Sequence, residues 1–201
     1  MLISKIVSPT YVDGPGQRTA VFLQGCSIRC QGCQNMHLWQ AGGGVNVAVA
    51  DLAEKLVAIG LPITITGGEP FDQAGELAQL LRLLCAAHPQ PHVIVYSGYT
   101  FEQLAERGGD VAHALRRADV LVDGPYIAKQ DAPGMQYRGS ANQRAIDLPA
   151  TLAQGTVVTL DWNTPEIIIT FDGGLLGATP VMTEFQDLGI VADARRCGQT
   201  K

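Results

Sequence analysis

The feature that most constrains the fold is an alternation of strand-like and helix-like segments through the first 123 residues. Short apolar runs rich in β-branched residues predict buried strands at 19–25, 61–66, 92–97 and 119–123. Between the first two, apolar residues recur at helical spacing from Asn46, and Gly60 is placed to end that helix. Alternation of this kind is typical of βα units that build a parallel sheet.

Two later helices carry their own start signals. Asp72 is placed to cap the helix that runs towards Pro89. Thr100 and Gln103 have the spacing of a capping box for the next helix. These signals support the helical interpretation of the segments between the predicted strands.

The character of the chain changes after Asp123. Residues 124–144 form a long polar loop with Gly and Pro, and a loop of this length in a compact domain is often functional. From about residue 155, strand-like runs separated by turn residues predict antiparallel pairing. We therefore expect a βα domain over 1–148 and a small C-terminal antiparallel β extension with its tail over 149–201.

The composition excludes several classes of protein. A hydrophobic fraction of 46% with 16% charged residues excludes a disordered chain. The net charge of −5 shows no basic bias and predicts no nucleic-acid partner. No apolar run approaches the roughly 18 residues of a membrane helix, and the first residues lack the apolar core of a signal peptide. We therefore expect a cytoplasmic protein without a membrane partner.

Three of the five cysteines, Cys26, Cys30 and Cys33, lie in the loop after the first predicted strand. An odd number with one tight cluster is not a disulfide framework, and in a reducing compartment it indicates metal binding or catalysis. Three thiolates can hold three irons of a [4Fe–4S] cluster and leave the fourth iron without a protein ligand. Because electron-transfer clusters usually have four cysteines, an open iron indicates a site for a substrate or cofactor.

Two other interpretations of these cysteines stay open at this point. Together with His37 they make a Cys3His set, which is acceptable for a structural zinc site. The second interpretation is that the three cysteines have neither a metal nor a catalytic role. Cys85 lies on an apolar helix face and is expected in the core, and Cys197 is expected to be a thiol of the tail.

A second motif, Thr66-Gly67-Gly68-Glu69-Pro70, follows the second predicted strand. Two adjacent glycines let a ligand approach the backbone closely, and exposed backbone groups at a strand end can bind the ammonium and carboxylate of an amino acid. Taken alone, the motif is more typical of a tight turn. After a C-x3-C-x2-C loop in a βα chain, it indicates a ligand site.

The ordered set of motifs resembles the radical S-adenosylmethionine (SAM) enzymes, and in particular the activating enzymes of glycyl-radical enzymes. The first group of similar segments is 13–18 (DGPGQR), 22–26 (FLQGC), Cys30, 33–35 (CQN) and Trp39. A second group resembles the branch that activates anaerobic (class III) ribonucleotide reductase: 97–100 (SGYT), 122–126 (VDGPY) and 138–144 (RGSANQR). The resemblance covers about residues 1–148. Gly32 departs from the wider superfamily, which favours an aromatic residue there.

The resemblance implies a fold and two cofactors. The fold is an α/β, incomplete (βα) radical-SAM barrel that is open on one side. One [4Fe–4S] cluster would be held by Cys26, Cys30 and Cys33, and SAM would chelate the open iron. The residues implied to bind the cofactor are Gly32, Cys33, Gln34, Gly67, Gly68, Glu69, Ser97 and Asp123. For Asp123, the alternative is a structural role as the cap of a strand end.

The resemblance also implies a reaction and its partners. Reductive cleavage of SAM would give a 5′-deoxyadenosyl radical, which takes a hydrogen atom from a glycine Cα of a glycyl-radical enzyme, here anaerobic ribonucleotide reductase. The electron would come from a flavodoxin- or ferredoxin-type donor. The residues expected beside the partner are Asp13, Arg18, Arg138, Ser140, Asn142 and Gln143. The alternatives are a simple turn for the first two and a solvated loop with self-bonding Ser and Asn for the others.

Two further functions stay open. Because residues 149–201 extend beyond the last matched motif, one alternative is a radical SAM enzyme that acts on a different peptide or a small molecule. The alternative of another class is a non-catalytic, zinc-stabilised binding module. This hypothesis predicts that the protein contains zinc in place of iron and does not bind SAM.

Overall fold

The computed structural model describes residues 1–131, 135–162, 167–169 and 175–178 of the chain, which form a mixed α/β fold. The strands and helices are, in chain order, β1 (Leu2–Thr10), β2 (Arg18–Leu23), β3 (Val45–Asn46), α1 (Val49–Ile59), β4 (Ile63–Gly67), α2 (Ala74–Cys85), β5 (Val93–Tyr96), α3 (Phe101–Ala105), α4 (Gly109–Leu115), β6 (Val120–Asp123), β7 (Arg144–Asp147), α5 (Leu148–Gln154), β8 (Ile167–Ile169) and β9 (Leu175–Ala178). No helix in these ranges is both long enough and apolar enough to cross a membrane.

Seven strands form one sheet in the order β3-β1-β2-β4-β5-β6-β7. The central strands β2, β4, β5 and β6 are parallel, whereas β1, β3 and β7 pair antiparallel with their neighbours. The predicted parallel βα arrangement is therefore confirmed. Within the described residues β3 and β7 do not pair with each other, so the sheet is open and a barrel is not confirmed.

Both faces of the central strands are covered by apolar side chains. On one face, Ile65 and Val95 belong to the large core that includes Leu56 of α1 and Leu80 of α2. On the other, a smaller cluster consists of Ile94, Val120, Val122, Ala145 and Trp162. Parallel strands that are buried on both faces appear in a sequence as continuous apolar runs. This is why the sequence predicted all four central strands.

Two predicted helix signals are found in the structure. Helix α1 ends at Gly60, whose φ of 72° is left-handed and whose N–H bonds to Val57 O. Helix α3 has the expected capping box, in which Gln103 N donates to Thr100 Oγ1 over 3.3 Å and Thr100 N donates to Gln103 Oε1 over 3.0 Å. Helix α1 begins later than predicted, because Asn46 pairs with β1 instead.

The role predicted for Asp72 is wrong. A short 3-10 turn over Pro70–Gln73 precedes α2, and no side chain caps that helix. The two carboxylate oxygens of Asp72 instead accept hydrogen bonds from the backbone N–H and the hydroxyl of Ser27, each over 2.7 Å. Asp72 therefore fixes the loop that contains the cysteines.

The C-terminal segment pairs antiparallel, as predicted, and its first strand-like run pairs with β7. Residues 157–160 lie beside β7, with Asp147 N bonded to Val158 O and Leu160 N bonded to Ala145 O. Strands β8 and β9 form a separate antiparallel pair. The domain boundary at 148/149 stays a prediction, although hydrogen bonds cross it. Cys85 is buried in the core as expected, and Cys197 lies outside the described residues.

Replacing Thr100 with Ala removes the hydroxyl that accepts from Gln103 N. We expect the free energy of unfolding to fall by about 1 kcal/mol, the usual loss for a helix N-cap. Chemical denaturation measures this change, with Thr156→Ala at an exposed position as the control. Equal losses in the two variants would contradict the capping role.

Candidate active site

Most of the residues predicted to bind the cofactors meet at one edge of the sheet. The cysteine loop follows β2, the turn at Gly67–Glu69 follows β4, Ser97 follows β5, and Gly124 follows β6. Because these four strands are parallel, their carboxyl ends lie side by side. They surround one open cavity of about 520 Å³, including the solvent at its mouth. Its lining includes Cys26, Ile28, Cys30, Cys33, Trp39, Thr66, Gly67, Gly68, Glu69, Ser97, Gly98 and Tyr126.

The turn after β4 is bonded directly to the start of the cysteine loop. Gly68 N donates to Leu23 O and Glu69 N donates to Gly25 O, each over 2.8 Å. A Cβ atom on Gly68 would lie 2.0 Å from Gly25 O, and one on Gly67 would lie 2.6 Å from Leu23 N. The two glycines are therefore required by the close approach of the chain's own backbone. The sequence interpretation attributed them to the approach of a ligand.

The first cysteine is also held from the other side of its loop. Cys26 N donates to Trp39 O over 3.2 Å, and Gly25 N donates to Leu38 O over 2.8 Å. The hydroxyl of Ser27 lies 3.0 Å from that of Tyr99, in addition to its bond with Asp72. Sequence reasoning missed Ser27 and Tyr99, because neither has a spacing that marks it.

Each loop thiol has backbone N–H groups near its sulfur. Asn35 N donates to Cys33 Sγ over 3.4 Å. Burial raises the pKa of Cys26, while the N–H groups of Arg29 and Ile28 oppose the rise. Burial likewise raises the pKa of Cys30, and the N–H of Tyr126 opposes it. Donors of this kind stabilise the thiolates that an iron–sulfur cluster requires.

The distances between possible ligands bear on the zinc interpretation of the cysteines. In residues 1–131 and 135–162, no three His, Cys, Asp or Glu side chains come close enough together to hold one metal ion. A tetrahedral zinc site needs all its ligands within about 2.3 Å of one point. A cluster binds each thiolate through a different iron, so the thiols surround a larger volume. His37 is exposed and does not line the cavity.

Glu69 is the most constrained acid of the site, with only 1% of its surface exposed. Its Oε1 accepts from Phe71 N and from the Ser97 hydroxyl, and its Oε2 accepts from Gly98 N. Burial raises the pKa of Glu69 to about 7, although these three hydrogen bonds lower it. A carboxylate accepts about four hydrogen bonds, so roughly one acceptor position is left for a ligand's ammonium group.

A second open cavity, of about 830 Å³ with its solvent, adjoins the first. The two share the residues Cys33, Thr66, Tyr96, Tyr126 and Gln143. The second is further lined by Val12, Asp13, Gln34, Asn35, Tyr137, Arg138 and Gly139. Three of the predicted partner residues, Asp13, Arg138 and Gln143, are therefore brought next to the cysteines.

The remaining polar residues of that loop hold it in place. Ser140 is buried, and its hydroxyl accepts from Ile127 N and donates to Asn142 Oδ1. Asn142 Nδ2 in turn donates to Pro125 O over 2.8 Å. Ser140 and Asn142 line neither cavity, so their location does not support contact with a partner. The loop is internally bonded, which agrees with the self-bonding of Ser and Asn in the alternative interpretation, although Ser140 itself is buried.

The expectation that Arg18 lies beside the mouth of the site is wrong. Arg18 stands at the amino end of β2, opposite the cysteines, and is 1% exposed. Its guanidinium donates to Ile63 O over 2.6 Å and to Thr64 Oγ1 over 2.8 Å. Burial lowers the pKa of Arg18 to about 10. Arg18 joins the amino ends of two neighbouring strands.

The location of Asp123 also differs from the one expected for a cofactor-binding residue. Both of its carboxylate oxygens bind the guanidinium of Arg144, and Oδ2 also accepts from Phe101 N over 2.7 Å. Arg144 faces Asp123 across the β6–β7 pair and also binds Glu102 over 2.8 Å. Asp123 lines neither cavity, so the structure agrees with the alternative, a cap at the strand end.

Comparison with known proteins decides the family. The family described as "4Fe-4S single cluster domain" matches residues 12–146. The chain belongs to this family. The match spans the cysteine loop, the turn at Gly67–Glu69 and Ser97, and the thiols of Cys26, Cys30 and Cys33 within it line one cavity.

Curated relatives of this single-cluster protein agree with the resemblance seen in its sequence. The anaerobic ribonucleoside-triphosphate reductase-activating protein of Vibrio cholerae is 35% identical over 142 residues, which cover 66% of this chain and 88% of the relative. The protein of the same name from Enterobacteria phage T4 is 31% identical over 72% of this chain and 92% of its own length. The pyruvate formate-lyase-activating enzyme of Clostridium pasteurianum is 35% identical, over 72% of this chain and 60% of the relative.

Among solved structures, QueE from Escherichia coli is similar with a TM-score of 0.40 and 18% identity. The similarity covers 61% of this chain and 70% of QueE. The resemblance to glycyl-radical-enzyme activating enzymes is confirmed by the family match and the curated relatives.

Gly68→Ala tests the contact between the turn and the cysteine loop. We expect a loss of about 3 kcal/mol in the free energy of unfolding, near the upper end of the usual range for over-packing, because the new methyl group meets Gly25 O. We also expect the variant to retain less iron after reconstitution. Gly42→Ala is the control, since a Cβ there meets nothing within 4 Å. Normal stability and iron content in Gly68→Ala would contradict the account.

Glu69→Gln tests the raised pKa of Glu69 in the cluster-free protein. The pKa is raised from 4.5 to about 7, so its stabilising contribution is complete below about pH 4.5 and is lost as the pH rises through about 7. Over that pH interval, we expect the free energy of unfolding of the wild type to fall by about 3 kcal/mol relative to that of Glu69→Gln. Denaturation at several pH values measures the difference, with Glu54→Gln at an exposed site as the control. The same pH dependence in wild type and Glu69→Gln would contradict it.

Proposed function

We propose that this protein is a radical SAM activase that generates a glycyl radical on a partner enzyme, anaerobic ribonucleotide reductase. The observation that carries the proposal is that three thiols and the Gly67–Glu69 turn line one cavity, and that backbone hydrogen bonds join this turn to the start of the cysteine loop. The names of the relatives from Vibrio cholerae and phage T4 support the choice of partner.

The cofactors of the proposed reaction are one [4Fe–4S] cluster and SAM. Cys26, Cys30 and Cys33 would hold the cluster, and the iron without a thiolate would bind the amino and carboxylate groups of SAM. When both are bound, the reduced cluster would supply one electron to the sulfonium of SAM, which would give methionine and a 5′-deoxyadenosyl radical able to take a hydrogen atom from a glycine Cα. The protein contributes orientation and the exclusion of competing reactions.

The residues around the cavity have separate parts in binding SAM. Glu69 would accept a hydrogen bond from the amino group of SAM at the acceptor position that its three hydrogen bonds leave open. The backbone near Gly32 and Gln34, together with the strand end at Ser97, would hold the adenosine. Asp123 is not assigned to SAM, because Arg144 already neutralises its carboxylate.

The second cavity suits the substrate part of the proposal. It opens next to Cys33 and is lined by the tyrosines Tyr96, Tyr126 and Tyr137. A loop of the partner that presents glycine would enter here, with Asp13 and Arg138 beside it. We propose that the open sheet curves as an incomplete barrel, since an open side admits a protein loop. Gln143 would be the third residue in contact with the partner's loop.

The reaction would require an electron donor from outside this protein. The electron would come from a flavodoxin- or ferredoxin-type protein, because the cluster takes up one electron at a time. The protein would work in the cytoplasm, without nucleic-acid or membrane partners. Residues 149–201 would be a separate extension beyond the catalytic domain.

A second candidate is a radical SAM enzyme that acts on another peptide or on a small molecule. The family match ends at residue 146, so the last 55 residues lie beyond it. That extension is the observation in favour of a different substrate. Both candidates require the same cavity and the same cofactors.

Cys30→Ala tests the chemistry. After anaerobic reconstitution with iron and sulfide, reduction and addition of SAM, we expect wild type to form 5′-deoxyadenosine and Cys30→Ala to form none, because one cluster ligand is missing. Cys85→Ala, which keeps all three loop thiols, should retain the activity. Product formation by Cys30→Ala would contradict the cluster assignment.

The substrate is tested separately, with reduced protein, SAM and one candidate partner at a time. Electron paramagnetic resonance detects a glycyl radical on the partner. We expect the radical on anaerobic ribonucleotide reductase and none on pyruvate formate-lyase. Cleavage of SAM without a radical on the reductase would favour the second candidate.

A further inference from the structure

Tyr126 lies where the two cavities of the site adjoin. It lines the cavity that contains the three cysteines, and it also lines the second cavity, to which the proposed function assigns the partner's loop. Its backbone is fixed to the cysteine loop, because its N–H is hydrogen-bonded to the sulfur of Cys30. Tyr126 is therefore next to a thiol of the first cavity and reaches the second.

The ring of Tyr126 lies between the cysteine loop and the loop that contains Arg138. A Cβ atom on Gly32 would lie 3.7 Å from Cε1 of the ring, and a Cβ atom on Gly139 would lie 3.0 Å from Cδ2, on the opposite edge of the ring. Both neighbours lack a side chain. The ring therefore occupies the space between the two loops at this point.

Two other polar side chains that are shared by both cavities are already hydrogen-bonded to the backbone. Tyr96 donates its hydroxyl to a carbonyl oxygen over 2.7 Å, and the amide of Gln143 binds an N–H over 2.7 Å and a carbonyl oxygen over 2.9 Å. The hydroxyl of Tyr126 instead donates to Asp131 over 3.2 Å in an exposed hydrogen bond. The end of the Tyr126 side chain is thus reachable from solvent, as a residue that meets a partner must be.

An aromatic ring at this junction suits a glycine substrate. Because glycine has no Cβ, its backbone can lie in contact with the ring. Transfer of a hydrogen atom needs the reacting atoms about 3–3.5 Å apart, and a misplacement of about 1 Å can cost about 100-fold in rate. The ring at the junction determines how far a peptide can advance from the second cavity towards the first.

We propose that Tyr126 is a positioning residue whose ring holds the partner's glycine at the junction, so that the 5′-deoxyadenosyl radical takes its hydrogen atom from that glycine. In this step the Cα–H bond of glycine breaks and a C–H bond of 5′-deoxyadenosine forms. The inference rests on the proposed function, because it requires both the radical and the partner. Without the ring, the radical takes hydrogen from another C–H group, and 5′-deoxyadenosine forms without a glycyl radical.

Tyr126→Leu removes the ring and keeps an apolar side chain, whereas Tyr126→Phe keeps the ring. The matched control is Tyr11→Leu, since Tyr11 is also half-buried but lines neither cavity. Each reduced, reconstituted protein is mixed with SAM and with anaerobic ribonucleotide reductase that contains glycine deuterated at Cα. Mass spectrometry then gives the fraction of 5′-deoxyadenosine that has gained one deuterium. This fraction is independent of how much of each variant carries a cluster.

We expect the deuterated fraction to fall about tenfold in Tyr126→Leu, as a misplacement of less than about 1 Å can cause. Tyr126→Phe and Tyr11→Leu should keep the wild-type fraction. A purely structural role would lower the total amount of 5′-deoxyadenosine and leave the fraction unchanged. A wild-type fraction in Tyr126→Leu, or an equal loss in Tyr126→Phe, overturns the inference.

Gly139→Ala covers the case in which Tyr126→Leu binds no cluster. It changes no side chain of the cysteine loop, and its methyl group, 3.0 Å from Cδ2 of Tyr126, must shift the ring by a few tenths of an ångström. We expect the deuterated fraction to fall about threefold, and a wild-type fraction overturns the inference. A wild type that cleaves no SAM, or that transfers no deuterium, overturns the proposed function as well, so the two failures are distinguishable.

Discussion

The site depends on the backbone contact between the turn after β4 and the start of the cysteine loop after β2. The hydrogen bonds from Gly68 N to Leu23 O and from Glu69 N to Gly25 O join the two segments. The contact leaves no room for a Cβ at Gly68. Because of it, Cys26 and Glu69 have a fixed spacing before any cofactor binds. Such preorganisation lowers the cost of binding a ligand that must touch both.

Strand pairing and side-chain hydrogen bonds elsewhere in the fold hold the two joined segments in place. Parallel pairing brings the carboxyl ends of four strands to one edge, where loops with little regular structure provide the polar groups. Asp72 holds the loop through Ser27, and Glu69 holds the next strand end through Ser97 and Gly98 N. Arg18 performs a similar task at the opposite edge. The site is therefore a set of loops fixed to each other as well as to the sheet.

The sequence predicted the parts of the fold whose signals are local. The four central strands are continuous apolar runs, and the capping box at Thr100 is a spacing of three residues. Strand β7 was missed, because its four residues directly follow a polar loop and are too few to show a period. The cysteine loop was recognised by its spacing, whereas the placement of Arg18 and Asp123 was not. Those two depend on pairing between distant segments, such as Asp123 opposite Arg144, which a single sequence does not reveal.

The central claim is that the cysteine loop and the turn at Gly67–Glu69 form one site, in which SAM binds an iron that no thiolate holds. The most direct test uses the reduced, reconstituted protein with SAM labelled with ¹⁵N at its amino group. Hyperfine spectroscopy should detect coupling between that nitrogen and the cluster. SAM that binds, by equilibrium dialysis, but shows no coupling would contradict the claim.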